Sequence, residues 1–101
     1  METINTTIPS QKLTRDLELN GIATGTLVVP NGVYLRLNGT ISGDLAVEEG
    51  GSAEVNGTIT GSVDNRGGRV TIRGVVRGAA FGHHPGGIMI EAGAIVGGRQ
   101  Y

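Results

Sequence analysis

The strongest constraint on this chain is an internal repeat. Asn38-Gly39-Thr40-Ile41-Ser42-Gly43-Asp44-Leu45 returns 18 residues later as Asn56-Gly57-Thr58-Ile59-Thr60-Gly61-Ser62-Val63. Seventeen residues further on stands Arg73-Gly74-Val75-Val76-Arg77-Gly78-Ala79-Ala80, and upstream stands Asn20-Gly21-Ile22-Ala23-Thr24-Gly25-Thr26-Leu27. A fifth copy opens at Ala92-Gly93-Ala94-Ile95-Val96-Gly97-Gly98. The shared kernel is Gly, three residues, Gly. Self-similarity at a short fixed period marks a solenoid, in which each unit buries its apolar face only against its neighbours.

An apolar-polar-apolar triplet precedes each kernel: Leu17-Glu18-Leu19, Leu35-Arg36-Leu37, Ala53-Glu54-Val55, Val70-Thr71-Ile72 and Ile88-Met89-Ile90. Period-2 alternation puts the outer two residues on one face of a strand. The apolar pairs Leu27/Val29 and Leu45/Val47 follow the second Gly, and turn signals separate the units at Pro30-Asn31-Gly32, Glu49-Gly50-Gly51, Arg66-Gly67-Gly68 and Pro85-Gly86-Gly87. Three strand-like pieces per 17–19 residues predict an all-β, three-sided parallel β-helix of about five coils, stacked about 4.8 Å apart into a rod about 24 Å long. Inner columns of Leu19, Leu37, Val55, Ile72, Ile90 and of Ala23, Ile41, Ile59, Val76, Ile95 are expected. The Gly columns mark corners where φ is positive or backbones crowd. Asn20, Asn38 and Asn56 are expected to stack as an amide ladder.

Residues 17–101 form the solenoid domain in this reading. Residues 1–16 lie outside the repeat register and are expected as an N-terminal capping segment, with Ile4, Ile8 and Leu13 folding over the first coil. The last coil stops at Arg99-Gln100-Tyr101 with nothing left to cover it.

Composition agrees with a thin core. Hydrophobic residues are 38% of the chain, yet only Phe81, Tyr34 and Tyr101 are aromatic, and 19 residues are Gly. Without Cys the chain has no disulfide or thiolate metal site. The first residues lack the basic and apolar regions of a signal peptide, and no run approaches the ~18 apolar residues of a membrane span. A cytoplasmic protein without membrane insertion is expected. The net charge of −1 gives no bulk attraction to nucleic acid.

The Gly-x-x-x-Gly kernel followed by an apolar residue, repeated at this period over roughly residues 17–98, resembles the bactofilins, polymer-forming bacterial cytoskeletal proteins. The resemblance implies a right-handed, three-sided β-helix with an aliphatic core. It also implies self-assembly of helix ends into nucleotide-free filaments.

No motif for catalysis stands out, so no enzyme, cofactor or metal site is expected. His83-His84 precedes Pro85-Gly86-Gly87 and reads as a surface turn, because adjacent strand residues point to opposite faces and no Cys or third His completes a metal site. Glu48-Glu49 reads as a solvated turn rather than a carboxylate pair for acid–base work. Asp44 and Asp64 follow corner glycines and read as turn caps. There is no nucleophile elbow, phosphate loop or dinucleotide fingerprint. A left-handed hexapeptide acyltransferase is excluded by register: Ile41, Val47, Ala53 and Ile59 fall six apart, but position 65 is Asn65.

Charge is patterned along the chain. Residues 44–64 carry Asp44, Glu48, Glu49, Glu54 and Asp64 without a base, and residues 66–77 carry Arg66, Arg69, Arg73 and Arg77 without an acid. Coil-to-coil pairing accounts for part of this, as in the column Glu18, Arg36, Glu54. The function expected first is a structural scaffold that self-associates through its solenoid ends, using Ile88, Ile90, Ile95, Val96 and Tyr101. The alternative is a small immunity or interaction protein that masks one protein partner, such as a toxin, through a basic face of Arg66, Arg69, Arg73 and Arg77. An engineered consensus solenoid is disfavoured by the irregular Ala79-Ala80-Phe81-Gly82-His83-His84.

Overall fold

In the computed structural model, which describes residues 2–82 and 87–101, the chain winds as a β-solenoid of about five coils with no helix among the described residues. The strands follow one another coil by coil. The first turn holds β1 (Glu2–Ile4) and β2 (Thr7–Lys12), the next β3 (Leu17–Leu19) and β4 (Ile22–Val29). Three regular turns follow: β5 (Tyr34–Leu37), β6 (Thr40–Ser42) and β7 (Leu45–Glu48); β8 (Ser52–Val55), β9 (Thr58–Ile59) and β10 (Val63–Arg66); β11 (Arg69–Ile72), β12 (Val75–Val76) and β13 (Ala80–Gly82). The last turn holds β14 (Ile88–Ile90), β15 (Ile95–Val96) and β16 (Arg99–Gln100).

One face is the sheet β1-β3-β5-β8-β11-β14, which contains all five sequence triplets. The second face carries β6, β9, β12 and β15, and the third carries β7, β10 and β13. These two join into one sheet because β4 runs unbroken round their shared corner, through Gly25 at φ +103°. Pairing between coils is parallel and in register, as Leu35↔Ala53 and Ile41↔Ile59 show.

Side chains at every second strand position meet in a continuous aliphatic core. Leu19, Leu35, Leu37, Ile41, Leu45, Val55, Ile59 and Ile72 have no exposed surface. Burying each such side chain stabilises the fold by about 1.5–3 kcal/mol. The corner glycines permit this tight stack by close approach. A Cβ at Gly39, Gly57 or Gly74 would run into the backbone carbonyl oxygen of Gly21, Gly39 or Gly57, one coil before. These three, like Gly61, are absent from the positive-φ glycines, so crowding is the governing constraint.

Three sequence expectations are corrected. First, β1 and β2 pair in parallel with β3 and β4: Glu2 faces Leu17 and Ile8 faces Ala23, an offset of 15 rather than 18, which becomes 16 at Gln11 and Lys12 after an irregularity between Pro9 and Gln11. This short turn covers the edges of β3 and β4, Ile8 and Leu13 are buried, and Asn5 extends the amide ladder. The ladder runs Asn56 to Asn38 to Asn20 to Asn5 at 3.2, 2.9 and 2.9 Å. Second, the inner column of the second face ends in Val96 and not Ile95. Val76 pairs with Val96 because the stretch between Ile90 and Ile95 is two residues longer than that between Ile72 and Val75. Third, the last coil is covered in part: the chain folds back and β16 pairs antiparallel with β15.

Candidate functional site

Each face of the solenoid ends in one exposed large apolar side chain. Met89 lies on β14, the last strand of the first face, and Phe81 on β13, the last of the third. Tyr101 follows β16 at the end of the second. They are 60%, 55% and 47% exposed, and Ile22 is the only other large apolar residue so exposed among the described residues.

Register explains why these positions stand out. The outward column of the first face runs Thr3, Glu18, Arg36, Glu54, Thr71, Met89, polar until its last member. On the third face the outward column runs Val28, Ala46, Asp64, Phe81. The strands β13 and β14 have no further partner strand among the described residues. Ile88 and Ile90 pack on the core yet are only half-buried, since β14 has a neighbouring strand on one side only among the described residues. Unpaired edges beside exposed apolar side chains are the chemistry of strand addition.

Of the residues expected for self-association, Ile88 and Ile90 belong to this end, and Tyr101 is exposed beside it. Val96 is buried in the core, while Ile95 faces outward and is half-buried. Phe81 and Met89 were not among those residues. The signal for both was available in the sequence, as apolar side chains at outward register positions.

The four arginines do not share one face. Arg69 opens β11 and Arg73 follows its end on the first face. Arg66 closes β10 on the third face, and Arg77 follows β12 on the second. Arg66 Nε lies 2.9 Å from Asp64 Oδ2. Arg73 bridges Glu54 at 3.2 Å and Glu91 at 3.4 Å, and Arg36 pairs with Glu18 at 3.5 Å. Arg69 and Arg77 make no ion pair among the described residues. Of the four, Arg73 is therefore engaged in coil-to-coil pairing and Arg66 within its own strand, at about 0–1 kcal/mol for each exposed pair.

Glu54 is the hub of the polar ladder. Its carboxylate accepts from Asn56 Nδ2 at 2.9 Å and Tyr34 Oη at 2.8 Å. The Asn56 bond first, then the Tyr34 bond, and then the nearby Arg73 and Arg36 charges hold it below its ordinary value. Tyr34 is pushed up by burial and by its bond to Glu54.

Asn65 is a structural residue that sequence reasoning passed over. It occupies the inner column after Val29 and Val47 and is fully buried. Its Nδ2 donates to Gly68 O at 3.0 Å and to Gly87 O at 2.8 Å, and its Oδ1 accepts from Gly68 N at 2.8 Å. It stitches a corner to the next coil.

The third face carries a shallow groove of about 640 Å³ lined by Asp44, Ser62, Asp64, Arg66 and Phe81, among others. Asp44 is committed to Ser62 N at 2.8 Å, a bond between coils. Glu48 pairs with Lys12 at 3.4 Å, and Glu49 is exposed. Among the described residues no three His, Cys, Asp or Glu side chains gather as for a metal ion. His83 and His84 lie outside the described residues. Among the described residues no helix is long and apolar enough to cross a membrane. Comparison with known proteins finds no matching family model, curated sequence or solved structure.

Proposed function

We propose that this chain is a non-enzymatic, bactofilin-like scaffold protein of the cytoplasm that self-associates through the last coil of its solenoid. One observation carries the reading: exposed Phe81 and Met89 sit on β13 and β14, strands that close their sheets at the C-terminal end with no further partner strand among the described residues. A second copy is the natural occupant, because it presents edges of the same strand spacing and the same apolar side chains. Two such ends meeting about a two-fold axis would pair β14 with its own counterpart. The other end suits this less: Pro9 sits in the outermost strand β2, and Pro cannot donate to a further ladder.

The partner-masking reading draws on Arg69 and Arg77, which keep their charge unneutralised by an ion pair among the described residues. It has less support, because Arg66 and Arg73 are engaged within the chain and the four point from different faces.

The test is sedimentation velocity over a wide concentration range on the parent and on Phe81→Lys/Met89→Lys. Both sites are exposed, so the fold tolerates the change. Association in the parent and its loss in the variant support the reading. Equal association in both removes the proposed joint.

A further inference from the structure

Strand β16 is the one antiparallel strand of the sheets among the described residues, and it occupies the edge of β15. Gly97 and Gly98, at φ +61° and +81°, form the two-residue turn with both φ values positive that suits a tight hairpin. Beyond the turn Arg99 faces Val96 and Gln100 faces Ile95. Tyr101 N donates to Ala94 O at 2.8 Å, and Gly93 N donates to Tyr101 O at 2.6 Å. The Arg99 guanidinium lies 5.6 Å from the centre of the Tyr101 ring.

This strap is held to the solenoid by backbone bonds, and the cation–π contact lies within the strap itself. Arg99, Gln100 and Tyr101 are all exposed, so it buries little apolar surface. Elements of that kind open at low free-energy cost. While it is closed, the edge of β15 is unavailable to any other strand.

We infer that β16 is an autoinhibitory strap on the self-association end. Closed, it leaves only β13 and β14 for a second copy. Open, it frees β15 as the third docking strand, and all three faces of the joint can pair. The inference rests on the self-association reading above and adds its regulation.

Register supplies a reversible lock. Ile95 and Gln100 face each other between the Ala94/Tyr101 and Val96/Arg99 pairs. Facing Cα atoms in such a position lie about 4.5–5.5 Å apart, within the reach of a disulfide. The chain has no Cys of its own. The experiment is sedimentation velocity on the full-length Ile95→Cys/Gln100→Cys chain, oxidised and reduced, beside Gly98→Val. Gly98 has nothing within 4 Å of an added Cβ, so Val there acts through the φ of +81° alone and opens the turn. The oxidised chain should shift toward monomer and the reduced chain should regain association. Gly98→Val should associate at about tenfold lower concentration than the parent, the factor that corresponds to about 1.4 kcal/mol of strap closure. Identical sedimentation of oxidised and reduced chains, or no gain in Gly98→Val, overturns the strap. If those variants behave as the parent while Phe81→Lys/Met89→Lys loses association, the strap falls and the association reading stands. If neither parent nor Gly98→Val associates, both fall.

Discussion

Tyr34 donates its hydroxyl to Glu54 at 2.8 Å, tying one coil to the next across the outer side of the first face. The same carboxylate accepts from Asn56 and from Arg73, so three donors from three segments converge on one side chain. The folded pKa of Glu54 is therefore lower than its ordinary value of 4.5. A depressed carboxylate contributes stability that is present above the unfolded value and lost as pH falls through the folded one. Thermal stability should hold from neutrality down to about pH 4.5 as far as this group is concerned, then decline. In Glu54→Ala the acid limb should flatten and stability at pH 7 should drop by about 1–3 kcal/mol. Melting curves from pH 7 to pH 2 for both chains test this; parallel curves would contradict it.

Ile59 is fully buried between Ile41 and Val76. Ile59→Val should cost about 0.5–1.5 kcal/mol and Ile59→Ala about 2–5 kcal/mol. Ile59→Asp should abolish folding, since a thin aliphatic core offers the carboxylate no donor. A cooperative melt retained in Ile59→Asp would show that the column does not face inward.

The corner glycines should divide into two classes. Gly57→Ala drives a Cβ into the carbonyl oxygen of Gly39, which is backbone and cannot swing away. A cost of at least about 1–3 kcal/mol follows from overpacking. Gly32 has open space around it and a φ of +81°, so Gly32→Ala should cost only the left-handed conformation, about 1–2 kcal/mol, and Gly32→Asn less. Denaturant midpoints for the three variants give the order, and a Gly57→Ala as mild as Gly32→Asn would refute the close-approach argument.

Asn65→Leu should be costly although it places an apolar residue in an apolar column. It strands the carbonyl and the N–H of Gly68, while the Gly87 carbonyl keeps the Val70 N–H at 2.9 Å. At about 1–3 kcal/mol for each of these two groups left without a partner, a loss of roughly 2–6 kcal/mol is expected, measured by denaturant unfolding.

The coils were legible in the sequence because each repeats one chemical rule: aliphatic side chains at every second position and glycine where a Cβ would strike the coil before. That rule located the triplets on the first face and the ladder of Asn20, Asn38 and Asn56. It failed where spacing changed. The first turn pairs at an offset of 15 through Pro9 and 16 from Gln11, so a search at 18 left Ile8 outside the register. Two extra residues before Ile95 moved the inward position to Val96. Gly97-Gly98 resembles the start of another corner, yet its two positive φ values reverse the chain. At the candidate site, Ile88 and Ile90 were legible as the end of the core. Phe81 and Met89 were not singled out, because their meaning depends on being last in a column and not on residue type alone.

Sedimentation velocity of the parent beside Phe81→Lys/Met89→Lys bears most directly on the central claim. The account predicts a shift from monomer to dimer as concentration rises in the parent and a monomer at every concentration in the variant. A parent that stays monomeric throughout, or a variant that assembles as the parent does, would contradict it.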